Sequence, residues 1–113
     1  MAFSSDEEVE IKKVLDPYIA SVRPKPEIRD EVDLFYKIYD QSVEIYEVRK
    51  IYDGRVIDEP IAKTTFNRTS NKWKVFWQRA DSKWHGYEPK KEIANLKDFV
   101  KIVDEDKHSC FWG

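Results

Sequence analysis

The residues best suited to chemistry fall in one stretch, where Lys72, Lys74, Arg79 and Lys83 are interleaved with Trp73, Phe76, Trp77 and Trp84. Single-stranded nucleic acid is commonly held by such pairings, because cations neutralise phosphates while rings stack on bases for about 1–3 kcal/mol each. The stretch belongs to residues 60–91, which carry eight Lys or Arg against only Asp81 and Glu88. That segment is +6 inside a chain of net charge −2. The plainer account makes Trp73 and Trp77 core residues and the lysines solvated strand positions that guard against edge-to-edge aggregation.

Other groups carry less. His85, beside Trp84 and near Arg79 and Asp81, would be a general base if a carboxylate oriented it, but a lone strand histidine more often packs or hydrogen-bonds across strands. His85 and His108 are the only histidines and Cys110 the only cysteine. No spacing among them suits zinc, and neither a metal nor another cofactor is expected. Cys110 and His108 are two apart, which permits proximity without assuring a thiolate pair, and a small half-buried thiol in a reducing compartment is the ordinary use. Gly54, Gly86 and Gly113 are the only glycines, and none is spaced for a phosphate-binding loop. Arg29-Asp30 reads as an ion pair or turn cap.

The elements that must position these groups follow from periodicity. Ser5 followed by Glu8 is a capping-box pattern, and Val9, Ile11, Leu15, Tyr18, Ile19 and Val22 recur at nearly helical spacing. Pro17 should kink this first helix or restart it at Asp16, and Arg23-Pro24-Lys25-Pro26 ends it. From Glu31 the period becomes two, giving a strand to Tyr39, a turn at Asp40-Gln41 and a second strand through Val43 and Ile45. A polar loop leads to a third strand, Ile61 to Arg68, a fourth, Lys72 to Arg79, and a fifth, Lys83 to Glu88. Pro89 is expected to open a second helix with Ile93, Leu96, Phe99, Val100 and Val103 as its apolar stripe.

The chain of 113 residues has the size of one domain, here residues 1–113. The expected fold is α+β: an N-terminal helix, a five-stranded antiparallel meander and a C-terminal helix, both helices on one sheet face. That face is assigned Val32, Leu34, Ile38, Val43, Ile45, Trp73, Val75 and Trp77. Phe35, Lys37, Tyr39, Tyr46, Phe66, Arg68, Lys74, Phe76, His85 and Tyr87 are assigned to the other. Phe111 and Trp112 at the chain end should dock as an aromatic tail. The acidic start Asp6-Glu7-Glu8 lacks the features of a secretory signal, and no stretch approaches a membrane span, so a cytoplasmic protein without membrane contact is expected.

Residues Arg23-Pro24, Ile28-Arg29-Asp30, Pro60 to Lys63, Trp77 to Asp81, Lys83 to Pro89 and Cys110-Phe111-Trp112-Gly113 resemble the bacterial domain-of-unknown-function family numbered three thousand and twenty-four. The resemblance spans nearly the whole chain. It implies small stand-alone bacterial proteins and brings no activity, cofactor or substrate with it. The residues themselves lead to a non-catalytic module that contacts single-stranded nucleic acid through Arg68, Lys74, Phe76, Arg79, Lys83, Trp84, His85 and Tyr87. The rival expectations are a protein-interaction module or homodimer covering the same face, the chain otherwise being a monomer, and, third, a small enzyme with His85 as base.

Overall fold

A computed structural model describes residues 2–108 and 110–112. Helix α1 spans Ser5–Val22. Its cap is Ser4, whose Oγ accepts the Glu7 N–H at 3.2 Å while the Glu7 carboxylate accepts the Ser4 N–H at 2.8 Å. The capping box therefore lies one residue earlier than Ser5 and Glu8 suggest. The helix runs unbroken across Pro17. An interior proline costs about 3 kcal/mol, and burial of Ile11, Leu15, Tyr18 and Ile19 on one face offsets it. Asp16 caps nothing and instead accepts the Tyr36 hydroxyl. After a 3-10 turn at Pro26–Ile28, Arg29 donates from Nε to the Pro24 carbonyl at 2.9 Å, the turn-capping use its position suggested.

The meander is β1 (Val32–Tyr39), β2 (Ser42–Lys50), β3 (Val56–Asn67), β4 (Lys72–Gln78) and β5 (Trp84–Gly86), antiparallel and hydrogen-bonded in chain order. Asp40, Asn71 and Ser82 adopt positive φ at its three tight turns, where short polar side chains tolerate the left-handed region. A sixth strand, β6 (Glu92–Ile93), returns to the edge of β4. Pro89 accordingly lies in a 3-10 turn, Glu88–Lys90, and helix α2 begins only at Leu96, running to Glu105. Proline suits the first turn of either helix type, and Ile93 is spent facing the core from a strand rather than from a helix.

Register sorts the side chains. Directly paired residues share a face, so Tyr36, Ile45, Ala62 and Trp77 lie on one side, as do Val43, Thr64 and Val75. A bulge opposite Ile45 and Tyr46 gives β3 one extra residue, Ile61, which joins the core. α1 and α2 pack on this side, sealing Leu15, Phe99 and Val103 against Val43, Ile45 and Val75. Trp73 anchors one end, with Phe3 at 5.6 Å and Phe66 at 5.1 Å between ring centroids.

The aromatic tail docks as expected. α2 ends at Asp106 in the left-handed conformation (φ 41°), and its carboxylate accepts the N–H groups of Phe111 at 3.1 Å and Trp112 at 2.9 Å. Phe111 is buried 5.0 Å from Tyr87, and the Trp112 indole donates to the Val103 carbonyl at 2.9 Å. At the free edge of β1, Asp33 accepts the Leu34 N–H at 2.8 Å and forms a bidentate pair with Arg23. Arg23 holds the Asp33 carboxyl below its ordinary range, so the edge is capped by a charge that resists strand addition. No helix among the described residues is long and apolar enough to cross a membrane.

Candidate functional site

Among the described residues no helix covers the other face of the sheet. The core with its packed partners includes none of Phe35, Tyr39, Tyr46, Phe76 or Trp84. Pairing aligns Lys37, Glu44, Lys63, Phe76 and Gly86 in a row across β1 to β5. On one side of that row stand Phe35, Tyr46, Gln78 and Trp84, and on the other Tyr39, Ser42, Thr65 and Lys74. An uncovered sheet face ordinarily alternates toward small polar residues. This one presents rings and lysines, with Glu44 among them, Glu92 opposite Lys74 and Asp58 near Tyr46.

Two groups organise it. Phe35 and Tyr46 stack at 5.1 Å with an interplanar angle of 11°, and Lys37 Nζ lies 5.0 Å from the Tyr46 ring and 5.6 Å from Phe35. Lys63 Nζ sits among Tyr39 at 5.9 Å, Phe76 at 6.0 Å and Trp84 at 5.8 Å, so three strands contribute rings around one ammonium. Between the groups lies Glu44, only 4% exposed. Its carboxylate accepts the Tyr39 hydroxyl at 2.7 Å and the Tyr46 hydroxyl, and stands 3.8 Å from Lys63 Nζ. A buried carboxylate needs such partners, and it in turn fixes two rings and a cation. The hydrogen bond to Glu44 pushes the Tyr39 phenol up to about 12. Burial first, and then Glu44, push Tyr46 up as well.

The residues singled out from sequence divide between the faces. Lys74, Phe76 and Trp84 stand on the open face. Phe66 pairs with Trp73, and Tyr87 is 3% exposed beside Phe111, so both belong to the helix side rather than to the contact face. Arg68 is also drawn to the helix side, where it donates to both oxygens of Glu7 (3.0 and 3.1 Å) and to the Ala2 carbonyl. This pair lowers Glu7 to about 2. His85 pairs with Trp77 on the helix side, and Arg79 lies 5.6 Å from the same Trp77 ring. Lys83 remains exposed in the β4–β5 turn, its carbonyl accepting the Arg79 N–H at 3.2 Å. Phe66 and Arg68 were misplaced because β3 and β4 pair Asn67 with Lys72, one step from the pairing of Arg68 with Lys72 that the expected strand ends imply, and one step flips every side chain. His85 and Tyr87 stand opposite Trp77 and Val75 and so share their face. Phe35, Lys37, Tyr39 and Tyr46 lie where alternation put them, whereas Lys63 and Glu44 were missed.

His85 Nε2 lies 2.9 Å from Asp81. Asp81 lies on the exposed β4–β5 turn and His85 is half-buried in β5, and among the described residues no hydroxyl or thiol side chain is hydrogen-bonded to His85. The Cys110 thiol faces the His108 carbonyl, 3.7 Å away, rather than its imidazole, and burial raises its pKa. Among the described residues no cluster of His, Cys, Asp and Glu is built to hold a metal. The arrangement as a whole offers aromatic rings beside ammonium groups on one open face.

Fold and face together describe an α+β meander whose helices cover one side only. The sequence profile of the domain of unknown function DUF3024 matches residues 3–113, and the chain belongs to that family. Neither curated proteins nor solved structures yielded a match.

Proposed function

We propose that this protein is a non-catalytic binding module that holds single-stranded nucleic acid on its open sheet face. The carrying observation is that Phe35, Tyr39, Tyr46, Phe76 and Trp84 all stand outside the helix-covered core, with Lys37, Lys63 and Lys74 between them. A duplex hides its base faces, whereas an unpaired strand offers them to rings on a flat sheet. The lysines supply the charge complementarity that a chain of net charge −2 otherwise lacks. A cytoplasmic location forms part of this reading, supported by the single cysteine.

Fluorescence polarisation with labelled single-stranded RNA and DNA tests it. If Lys37 and Lys74 each neutralise a phosphate while Lys63 stays with Glu44, the log–log salt slope is about −1.4, and affinity falls roughly sevenfold between about 50 and 200 mM salt. Absence of binding at low salt would overturn the proposal. In that case, a concentration-dependent dimer in sedimentation would assign the face to a second copy.

A further inference from the structure

Gly86 has no reason within the protein to be glycine. Its φ lies outside the left-handed region, and a Cβ built on it meets nothing within 4 Å. Neither a turn nor a close approach demands it. Glycine in a strand gives up side-chain packing and costs backbone entropy. The usual internal compensation is a cross-strand ring folded over the glycine. Phe76 is the cross-strand partner, but its ring does not fold over, because it would then stand within reach of the added Cβ. The ring instead keeps company with Lys63.

The result is a gap in the row Lys37, Glu44, Lys63, Phe76, Gly86, open beside Phe76 and one strand step from Trp84. We infer that this gap is a seat for one nucleobase, stacked against Phe76 and running over the bare backbone of Gly86, with Lys74 on the same face for its phosphate. A glycine in a strand marks a bulge, a bend or the close approach of a ligand or another backbone; nothing in this chain approaches Gly86, and the ring character of the surroundings selects a base over an aliphatic group. The inference rests on the nucleic-acid reading above and adds to it the position of a base.

Gly86→Val separates the two. Valine favours strands and meets open space here, so the melting temperature should be unchanged or higher. Its branched side chain fills the seat, and the Kd for a fluorescein-labelled single-stranded oligonucleotide should rise about tenfold or more, the loss of one base stack. Phe76→Leu should weaken binding similarly, by removing the platform instead of blocking it. Binding by the wild type that Gly86→Val leaves undiminished would overturn the seat while sparing the face. Failure of the wild type to bind would overturn both. A Gly86→Val protein that melts much lower would show that the glycine is needed by the fold, and would likewise overturn the inference.

Discussion

Phe111→Ala tests whether the docked tail stabilises the domain. The ring is 5% exposed and lies 5.0 Å from Tyr87. Burying a phenylalanine removes about 200 Å² from water, worth about 5 kcal/mol gross at about 25 cal/mol/Å². Alanine keeps part of this, and a released tail regains about 1–2 kcal/mol of entropy per freed residue, leaving a net loss of about 3 kcal/mol. An unfolding entropy of about 2.1 cal/mol/K per residue over 113 residues converts that loss to a fall of about 13 °C in melting temperature. Thermal unfolding followed by far-UV circular dichroism reads it directly. Asp106→Ala, which removes the acceptor of the Phe111 and Trp112 N–H groups, should act in the same direction by a smaller amount. A Phe111→Ala protein melting within about 2 °C of the wild type would refute the reasoning, since no well-buried ring is removed so cheaply.

Two further outcomes follow from the ion pairs and the buried carboxylate. Glu7 is held at about 2 against an ordinary 4.5, chiefly by its hydrogen bonds to Arg68. A lowered carboxyl stabilises the folded state above its unfolded value, and that contribution disappears as pH falls from about 4.5 toward about 2. The melting gap between wild type and Glu7→Gln should therefore be widest near neutrality and close in acid, and a gap constant across that range would contradict the pairing. Glu44→Gln exchanges the shared carboxylate for a neutral amide beside Tyr39, whose phenol stands at about 12. Ultraviolet titration should then show tyrosine ionising at lower pH in the variant, and coincident curves would place no carboxylate against the phenols.

What the sequence made legible follows where local rules suffice. The two-residue turn at Asp40-Gln41 leaves little freedom of register, so alternation alone placed Phe35, Lys37, Tyr39 and Tyr46 on the open face. The turn around Asn71 is longer and takes in Arg68 as well, which put Phe66 on the wrong side, whereas His85 and Tyr87 were assigned away from Trp77 and Val75, the residues they stand opposite. Lys63 follows the bulge at Ile61, which breaks the alternation that would have revealed it. Glu44 was not singled out, because nothing local shows that two phenols and an ammonium converge on it. The false start at Pro89 has the same origin: a proline marks the first turn of a 3-10 turn or an α-helix alike, and only the pairing of β6 with β4 decides.

The central claim concerns which face meets the ligand, and amide chemical-shift mapping during titration with a single-stranded oligonucleotide addresses that most directly. The account predicts that shifts concentrate on Phe35, Lys37, Tyr46, Lys63, Lys74, Phe76, Trp84 and Gly86, while Leu15, Tyr87, Phe99 and Phe111 on the helix side stay put. Shifts confined to α1 and α2, with the open face silent, would contradict it.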